Sequence, residues 1–200
     1  MRTSRDLASR TNMASLELRN RIRSLRRNSA TTEGSFIPQR LLYRLLTREI
    51  ISVALREAGI SGLQINDLAN KIYKGGQKVF AILVLLKGEE SKIANFITHD
   101  QFAQSQLDFK LPFSLELLNT IIPDITDEFF ETQWEFVAPV FSRGVIHREL
   151  HDRTQLPFLR NAEIGSGGFG DVCEIQLDPD HQTMAFVPKE DVSSQSLEHL

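Results

Sequence analysis

The sequence predicts a mainly α protein, in which an N-terminal helical domain is followed by a small β-hairpin, so that the class is α+β overall. Apolar residues recur at helical spacing through most of residues 36–125. A glycine cluster at residues 165–170 lies between two short segments of alternating polarity, which is typical of a hairpin. The longest apolar run, residues 79–86, is much shorter than the roughly 20 residues of a membrane span and indicates a buried helix.

Residues 1–35 are predicted to be a basic, disordered arm. The first 30 residues contain eight arginines and two carboxylates, a net charge of +6, so that the rest of the chain carries −9 of the total of −3. Leu18, Ile22 and Leu25 form a narrow apolar stripe at helical spacing under an arginine-rich face. Three interpretations are open: an organelle presequence, a contact with an acidic surface or nucleic acid, and a solvated arm that folds only with a partner. We expect the last, because the two early carboxylates disfavour a presequence.

Residues 36–125 are predicted to form an all-α domain. Pro38 suits the first turn of a helix, while Gly59 and the Gly75-Gly76 pair suit helix ends. The helices expected here cover residues 38–58, 66–74, 77–87 and 89–98, followed by one short helix at residues 114–120. The third is apolar nearly all round, so we expect it to be the central helix.

Residues 126–155 are predicted to connect the helical domain to the hairpin. A short helix is expected from Thr126 to Gln133, and residues 134–141 are expected to cross the fold in extended form. His147 and His151 are four residues apart, but they do not form an H-E-x-x-H pattern and no third ligand is evident. The sequence therefore predicts no metal site.

Residues 165–172 fill every fixed position of the pattern G-x-G-x-x-G-x-V. Glycine N–H groups can approach phosphate oxygens closely, because no Cβ keeps the backbone at a distance and positive φ costs little. In a dinucleotide-binding unit the last glycine opens a helix, whereas here Val172, Ile175 and Leu177 lie in a segment that indicates a strand. Asp178-Pro179 is a turn signal that closes this strand. The pattern favours a glycine-rich hairpin folded over phosphates.

The chain resembles the N-terminal part of fungal protein-kinase-like proteins, which carry a helical region ahead of a serine/threonine kinase domain. The residues that carry this resemblance are 133–141, 156–158 and the glycine-rich segment 164–170. It extends from roughly residue 36 to residue 184, and the glycine-rich loop is its one motif with known chemistry. The resemblance implies that residues 156–200 are an incomplete kinase N-lobe, with ATP binding and serine/threonine phosphoryl transfer as the activity of the family.

By this resemblance, ATP contacts the glycine-rich loop and one lysine. Val172 would pack on the adenine, Phe169 would cap the loop tip, and Lys189 on a third strand would hold the α- and β-phosphates. The implied ATP-binding residues are Ile164, Gly165, Ser166, Gly167, Gly168, Phe169, Gly170, Val172 and Lys189. Pro188 departs from the family pattern, because it removes an N–H from the strand that should carry Lys189.

The 200 residues contain neither the H-R-D-x-x-x-x-N segment that supplies a kinase base nor the D-F-G segment that holds Mg²⁺. We therefore expect no catalytic residues, only weak binding of ATP, and Mg²⁺ only in a complete kinase domain. The chain is expected to be a fragment, the product of a truncated gene model, or a true short protein. The alternative function is a helical protein-interaction module in which the glycine turn binds no nucleotide.

The remaining expectations concern partners and compartment. We expect an unknown protein partner for the helical domain, no nucleic acid and no membrane span. Cys173, the single cysteine, cannot form an internal disulfide and fits a reducing compartment. The predicted localisation is intracellular, cytoplasmic or nuclear, and not secreted.

Overall fold

The computed structural model describes residues 4–62, 64–100, 106–143, 149–168 and 170–183. The helices of these residues are α1 (Ser4–Ser24), α2 (Gln39–Leu45), α3 (Arg48–Glu57), α4 (Gln64–Gly75), α5 (Gln77–Leu85), α6 (Ile93–Thr98), α7 (Leu115–Ile121) and α8 (Thr126–Thr132). The strands form two separate antiparallel pairs, β1 (Arg27–Asn28) with β2 (Ser35–Phe36) and β3 (Phe158–Gly167) with β4 (Gly170–Leu177). The predicted class, mainly helical with a hairpin, is confirmed at the level of α+β.

Helix α5 is the centre of the helical body. All of its residues except Lys78 are buried, and it contacts α1, α2, α4, α6 and α8. A helix that is apolar on every side needs cover on every side, so the other helices pack around it. At its first residue, the buried Gln77 amide donates through Nε2 to the carbonyl oxygen of Leu46 at 2.9 Å. The prediction that this helix is central is confirmed.

Asp108 caps the N-terminus of α5 from a distant part of the chain. Gly76, at the N-cap position, has no side chain to accept the free N–H groups of the first turn. The Asp108 carboxylate lies in a 3₁₀ turn and accepts the N–H groups of Lys78 at 3.0 Å and Val79 at 3.3 Å. The Tyr43 hydroxyl also donates to it, at 3.4 Å. Burial raises the pKa of this carboxyl despite these donors.

Helix α1 corrects the prediction of a disordered arm. Leu18 and Ile22 are buried in the same core as α5, and the Arg19 guanidinium donates through Nε to the carbonyl oxygen of Val84 at 2.7 Å. Residues 14–24 are thus a packed helix, not a solvated arm. The physical reason is that the narrow apolar stripe of α1 covers one side of α5, which has no polar face of its own.

Three boundaries within the helical region differ from the prediction. The single helix expected over residues 38–58 is broken into α2 and α3, because Thr47 accepts the N–H of Ile50 through Oγ1 and starts a new helix. The fourth expected helix begins with a 3₁₀ turn, Glu90–Lys92, before α6. The segment expected to be extended begins as a 3₁₀ turn, Gln133–Phe136, because the Gln133 amide pairs with both backbone groups of Phe113 at 2.8 and 3.0 Å.

The β3–β4 hairpin is joined to the helical body at its base. Strand β3 accepts, through the carbonyl oxygen of Phe158, the N–H of Ala30 at 2.7 Å. The base is closed by a bond of 2.9 Å from the N–H of Asp178 to the carbonyl oxygen of Pro157. Within the part of the chain that the structure describes, no helix is long and apolar enough to cross a membrane.

Candidate functional site

The tip of the β3–β4 hairpin carries the glycine-rich motif. The strands pair Gly167 with Gly170 and Gly165 with Val172, so the turn between them is a two-residue connection. Gly170 has a φ of +138°, a conformation that side-chain-bearing residues rarely adopt, which explains the glycine at this position. Ser166 donates through Oγ to Asp171 Oδ1 at 2.6 Å and ties the strands together beside the tip. Phe169 lies outside the described residues.

The backbone of this tip is open to approach. A Cβ built on Gly165, Gly167 or Gly168 would meet no described atom within 4 Å, so these glycines are not required by packing inside the chain. The free space beside these Cα atoms lets a ligand approach the backbone closely. The geometry is therefore compatible with backbone donors contacting an anion.

Two apolar side chains flank the glycines and are unusually exposed. Ile164 is 67% exposed and Val172 is 59% exposed. Ile164 lies where the register shifts between Glu163 and Gly165, so it has no partner residue on β4. Such apolar groups beside open glycines could contact the flat face of a ligand. Covering them would stabilise the complex, because apolar surface is removed from water.

The described clefts lie away from this loop, on the helical body. One of about 500 Å³ lies beside the β1–β2 turn and is lined by Trp134, Glu135 and Arg153 among others. A second, of about 240 Å³, lies between α1 and α3. The hairpin therefore offers one face of a binding site, and the described residues do not place an opposite wall over it.

The predicted phosphate-binding lysine, Lys189, lies outside the described residues. Up to Thr183, the chain after the hairpin runs beside Phe141 rather than along β4. Gln182 forms a parallel bridge with Phe141, and the N–H of Thr183 donates to the carbonyl oxygen of Phe141 at 2.8 Å. The third strand expected from the sequence would have to begin after this contact.

The structure identifies residues at the hairpin base that sequence reasoning missed. The Arg27 guanidinium contacts the carboxylate of Asp178, which is fully buried, and lies 3.4 Å from a carboxylate oxygen of Asp180. His181 is buried beside them and packs edge-on against the ring of Phe36 with centroids 5.2 Å apart. The sequence offers a basic segment and an acidic turn, but no pattern that pairs residues so far apart.

Other candidate groups have structural partners. The imidazole of His151 lies against the indole of Trp134 with ring centroids 4.5 Å apart. His147 lies outside the described residues. In the described ranges, no group of three or more His, Cys, Asp or Glu side chains could hold a metal ion. Cys173 is exposed on β4 as a free thiol.

Comparison of the chain with protein-family models, with curated proteins and with solved structures found no match in any of the three. The chemistry of the site therefore has to be argued from its own residues. The hairpin tip offers backbone donors, two exposed apolar side chains and a serine hydroxyl. The serine hydroxyl is held by the Asp171 carboxylate.

Proposed function

We propose that the β3–β4 hairpin covers the phosphates of ATP, as the glycine-rich loop does in the protein-kinase-like proteins that this chain resembles. The observation that carries the proposal is the open backbone of Gly165, Gly167 and Gly168, around which a Cβ would meet nothing. Ordering three glycines costs conformational entropy on folding, and these three have no internal packing role. A phosphate that approaches the backbone closely would explain why glycine is present at these positions.

The exposed apolar residues support the same ligand. Ile164 and Val172 lie on either side of the glycines, where an adenine ring could cover them while its phosphates meet the loop backbone. Phe169 and Lys189 belong to this proposal by resemblance alone. The proposed contacts are Ile164, Gly165, Ser166, Gly167, Gly168, Phe169, Gly170, Val172 and Lys189.

The proposed binding is weak, and the 200 residues do not transfer phosphate alone. A loop that contacts one side of a ligand leaves the other side in water, so we expect a dissociation constant near millimolar, about 4 kcal/mol of standard binding free energy. The base and the Mg²⁺ ligands of kinases come from sequence segments that these residues do not contain. Serine/threonine phosphoryl transfer is thus proposed for a complete kinase domain that includes this loop. A reducing, intracellular compartment is proposed from the single exposed thiol of Cys173.

Titration of the ¹⁵N-labelled chain with Mg-ATP tests this proposal. We expect amide shifts confined to residues 164–172, saturating at millimolar ATP. Gly167→Val should abolish them, because the new side chain fits within the chain but blocks the approach of phosphate. The matched control is Gln176→Val, which places the same side chain at an exposed position of β4 away from the tip.

Two results would contradict the proposal. If the loop amides do not shift at about 10 mM Mg-ATP, or if Gly167→Val and Gln176→Val behave alike, the hairpin does not bind the nucleotide through its tip. A radiolabel assay on the same sample measures turnover, for which we expect none.

The second candidate is a helical protein-interaction module without nucleotide binding. The observation that favours it is the cleft between α1 and α3, lined by the apolar side chains of Leu18, Ile50 and Val53. Val53 is 40% exposed there, on the outer side of an amphipathic helix. An ATP titration that leaves the loop amides unchanged would favour this module over the nucleotide proposal.

A further inference from the structure

Ser29 starts the turn that links β1 to β2, and two arginines lie shortly before it along the chain. Arg26, Arg27 and Ser29 place guanidinium groups three and two residues before a serine hydroxyl. A protein kinase with carboxylates beside its catalytic cleft can select such a serine, because guanidinium groups form charge-assisted, bidentate hydrogen bonds with carboxylates. The segment therefore has the chemistry of a substrate for an arginine-directed kinase.

The turn around Ser29 is accessible. Asn28, Ala30 and Thr31 are exposed, and Ser29 is half-buried. Its hydroxyl oxygen lies 3.2 Å from the Thr31 hydroxyl and accepts the N–H of Thr31 at 3.3 Å, both within the turn itself. The β1–β2 ladder pairs only two residues on each strand, and local opening around Ser29 would also release its N–H from the carbonyl oxygen of Gly34 at 3.1 Å.

The two arginines hold separate elements together. Arg26 donates through Nε to Glu135 at 2.8 Å, within the 3₁₀ turn Gln133–Phe136. Arg27 contacts Asp178 and Asp180 at the base of the hairpin. Because the Asp178 carboxylate is fully buried, Arg27 is the cation that neutralises it there. A new anion at Ser29 would compete for this guanidinium.

We propose that Ser29 is a phosphorylation site for an arginine-directed protein kinase, and that its phosphate releases the base of the β3–β4 hairpin from the helical body. In this reaction Ser29 Oγ forms a bond to the γ-phosphorus of ATP and the bond to the leaving ADP breaks. The hydroxyl proton passes to the base of the modifying kinase. The proposal does not depend on nucleotide binding by the hairpin of this chain.

The release follows from the positions of the charges. Ser29 follows Arg27 by two residues and lies directly after the end of β1, so a phosphate on Ser29 would be close along the chain to this guanidinium. A phosphoserine carries about −1.5 to −2 charges and binds guanidinium strongly. When Arg27 turns to the phosphate, the Asp178 carboxylate keeps, among the described residues, the N–H of Asp180 at 2.8 Å as its hydrogen-bond donor. A buried carboxylate without its cation is strongly destabilising, and the new phosphate also repels it.

The turn is also bonded directly to the hairpin. Ala30, the residue after Ser29, donates its N–H to the carbonyl oxygen of Phe158 in β3 at 2.7 Å. Rearrangement of the turn around a phosphate therefore acts on the first residue of β3 as well as on the carboxylates after β4. Both strands of the hairpin lose support at the same end.

The first experiment tests modification. The folded 200-residue chain is incubated with Mg-ATP and the catalytic subunit of cyclic-AMP-dependent protein kinase, and the product is mapped by mass spectrometry. We expect about one phosphate per chain, at Ser29. Ser29→Ala should abolish it. Ser24→Ala is the matched control, because Ser24 follows Arg21 by three residues in α1 and its removal should leave the phosphate in place. Absence of phosphate at Ser29 in the folded chain overturns the proposal.

The second experiment tests release. Hydrogen exchange is compared for the phosphorylated and unmodified chains, and we expect about tenfold faster exchange in peptides that contain Ala30 and Asp178, with α5 unchanged. Unphosphorylated Arg27→Gln should accelerate the same peptides, because it removes the same cation from Asp178. If phosphorylated Ser29 leaves these peptides unchanged, the phosphate does not release the hairpin, and that half of the proposal is wrong.

Discussion

His181 connects the hairpin base to the helical body through both nitrogens of its ring. Nδ1 lies 3.1 Å from the carbonyl oxygen of Pro139, which can only accept, so Nδ1 carries the proton. Nε2 accepts the N–H of Gln39 at 3.4 Å. Burial lowers the pKa of His181, and Lys78 acts in the same direction, while the backbone of Pro139 and Ile37 and the charge of Asp178 act against this shift.

This lowered pKa predicts that the protein loses stability in mild acid. The unfolded chain takes up a proton on His181 below its ordinary value of 6.5, whereas the folded chain resists it. The stabilisation is therefore fully present above pH 6.5. Below that value the free energy of unfolding should fall by up to about 1.4 kcal/mol per pH unit, until the folded-state pKa is reached.

Urea unfolding of the wild type and of His181→Gln between pH 7.5 and about pH 5.5 measures this dependence. The variant should be less stable at pH 7.5 and should show a flatter dependence on pH. The control His151→Gln changes an exposed histidine and should keep the wild-type dependence. Equal slopes for the wild type and His181→Gln would mean that His181 does not resist protonation in the folded protein.

At the scale of one residue, the glycine pattern predicted where the hairpin turns, whereas the polar partners of the buried carboxylates were not predicted. Gly170 fits its pattern because a local backbone conformation requires glycine, and local requirements are visible in sequence. Asp108 and Asp178 are buried carboxylates whose donors come from other elements. An isolated aspartate in a polar stretch looks the same whether it caps a distant helix or faces water, so neither role could be predicted.

At the scale of elements, α1 shows how a charged helix can belong to a core. Its arginines give it the composition of a solvated arm, yet Leu18 and Ile22 lie on the side that meets α5. The arginine-rich composition reflects the exposed face of α1, whereas the apolar residues at helical spacing mark its buried face. The decision between arm and core depends on whether a neighbouring helix needs cover, which is a property of α5 and not of α1.

The packing of α1 predicts a large effect from a single truncation. Ile22 is fully buried, so Ile22→Ala should lower the free energy of unfolding by about 2–4 kcal/mol through lost burial and a residual cavity. The control, Arg23→Ala, removes an exposed side chain of the same helix and should change it by less than about 0.5 kcal/mol. Chemical denaturation measures both. If both variants lowered the free energy of unfolding by a similar small amount, α1 would not be packed against the core and would be a solvated arm.

Helical spacing and alternation were sufficient to predict α4, α5 and the hairpin, because each of these elements has a strong period of its own. The break between α2 and α3 was missed, since the apolar spacing continues through it and only the hydroxyl of Thr47 marks a new start. The glycine-rich tip was found in the same local way. Its nucleotide role stays a prediction, because the opposite wall of the site is not among the described residues.

At the scale of the whole molecule, stability depends on α5, which most of the other helices contact. Leu83 lies in the middle of this helix and is fully buried, so Leu83→Ala should cost about 2–5 kcal/mol, a large fraction of the stability of a small protein. The control Val53→Ala removes a half-exposed side chain from α3 and should cost much less.

Thermal and chemical unfolding of the two variants decide this prediction. If the loss for Leu83→Ala stayed below about 1 kcal/mol, the helical body would have to collapse around the missing methyl groups, and α5 would not be its organising element.

The salt bridge between Arg27 and Asp178 joins residues that are 151 positions apart, and the bond between Gln39 and His181 spans 142 positions. On the ribosome, the N-terminal residues of these pairs emerge on the order of ten seconds before their partners, at about 5–20 residues per second. Helices α1 to α5 can associate during that interval, because their partners are already present. The contact between the rings of Phe36 and His181 can form only after His181 has been synthesised. Strands β1 and β2 are thus synthesised early but reach their native surroundings late: until the hairpin has been made, Arg27 lacks its Asp178 partner and the Phe36 ring lacks its contact with His181.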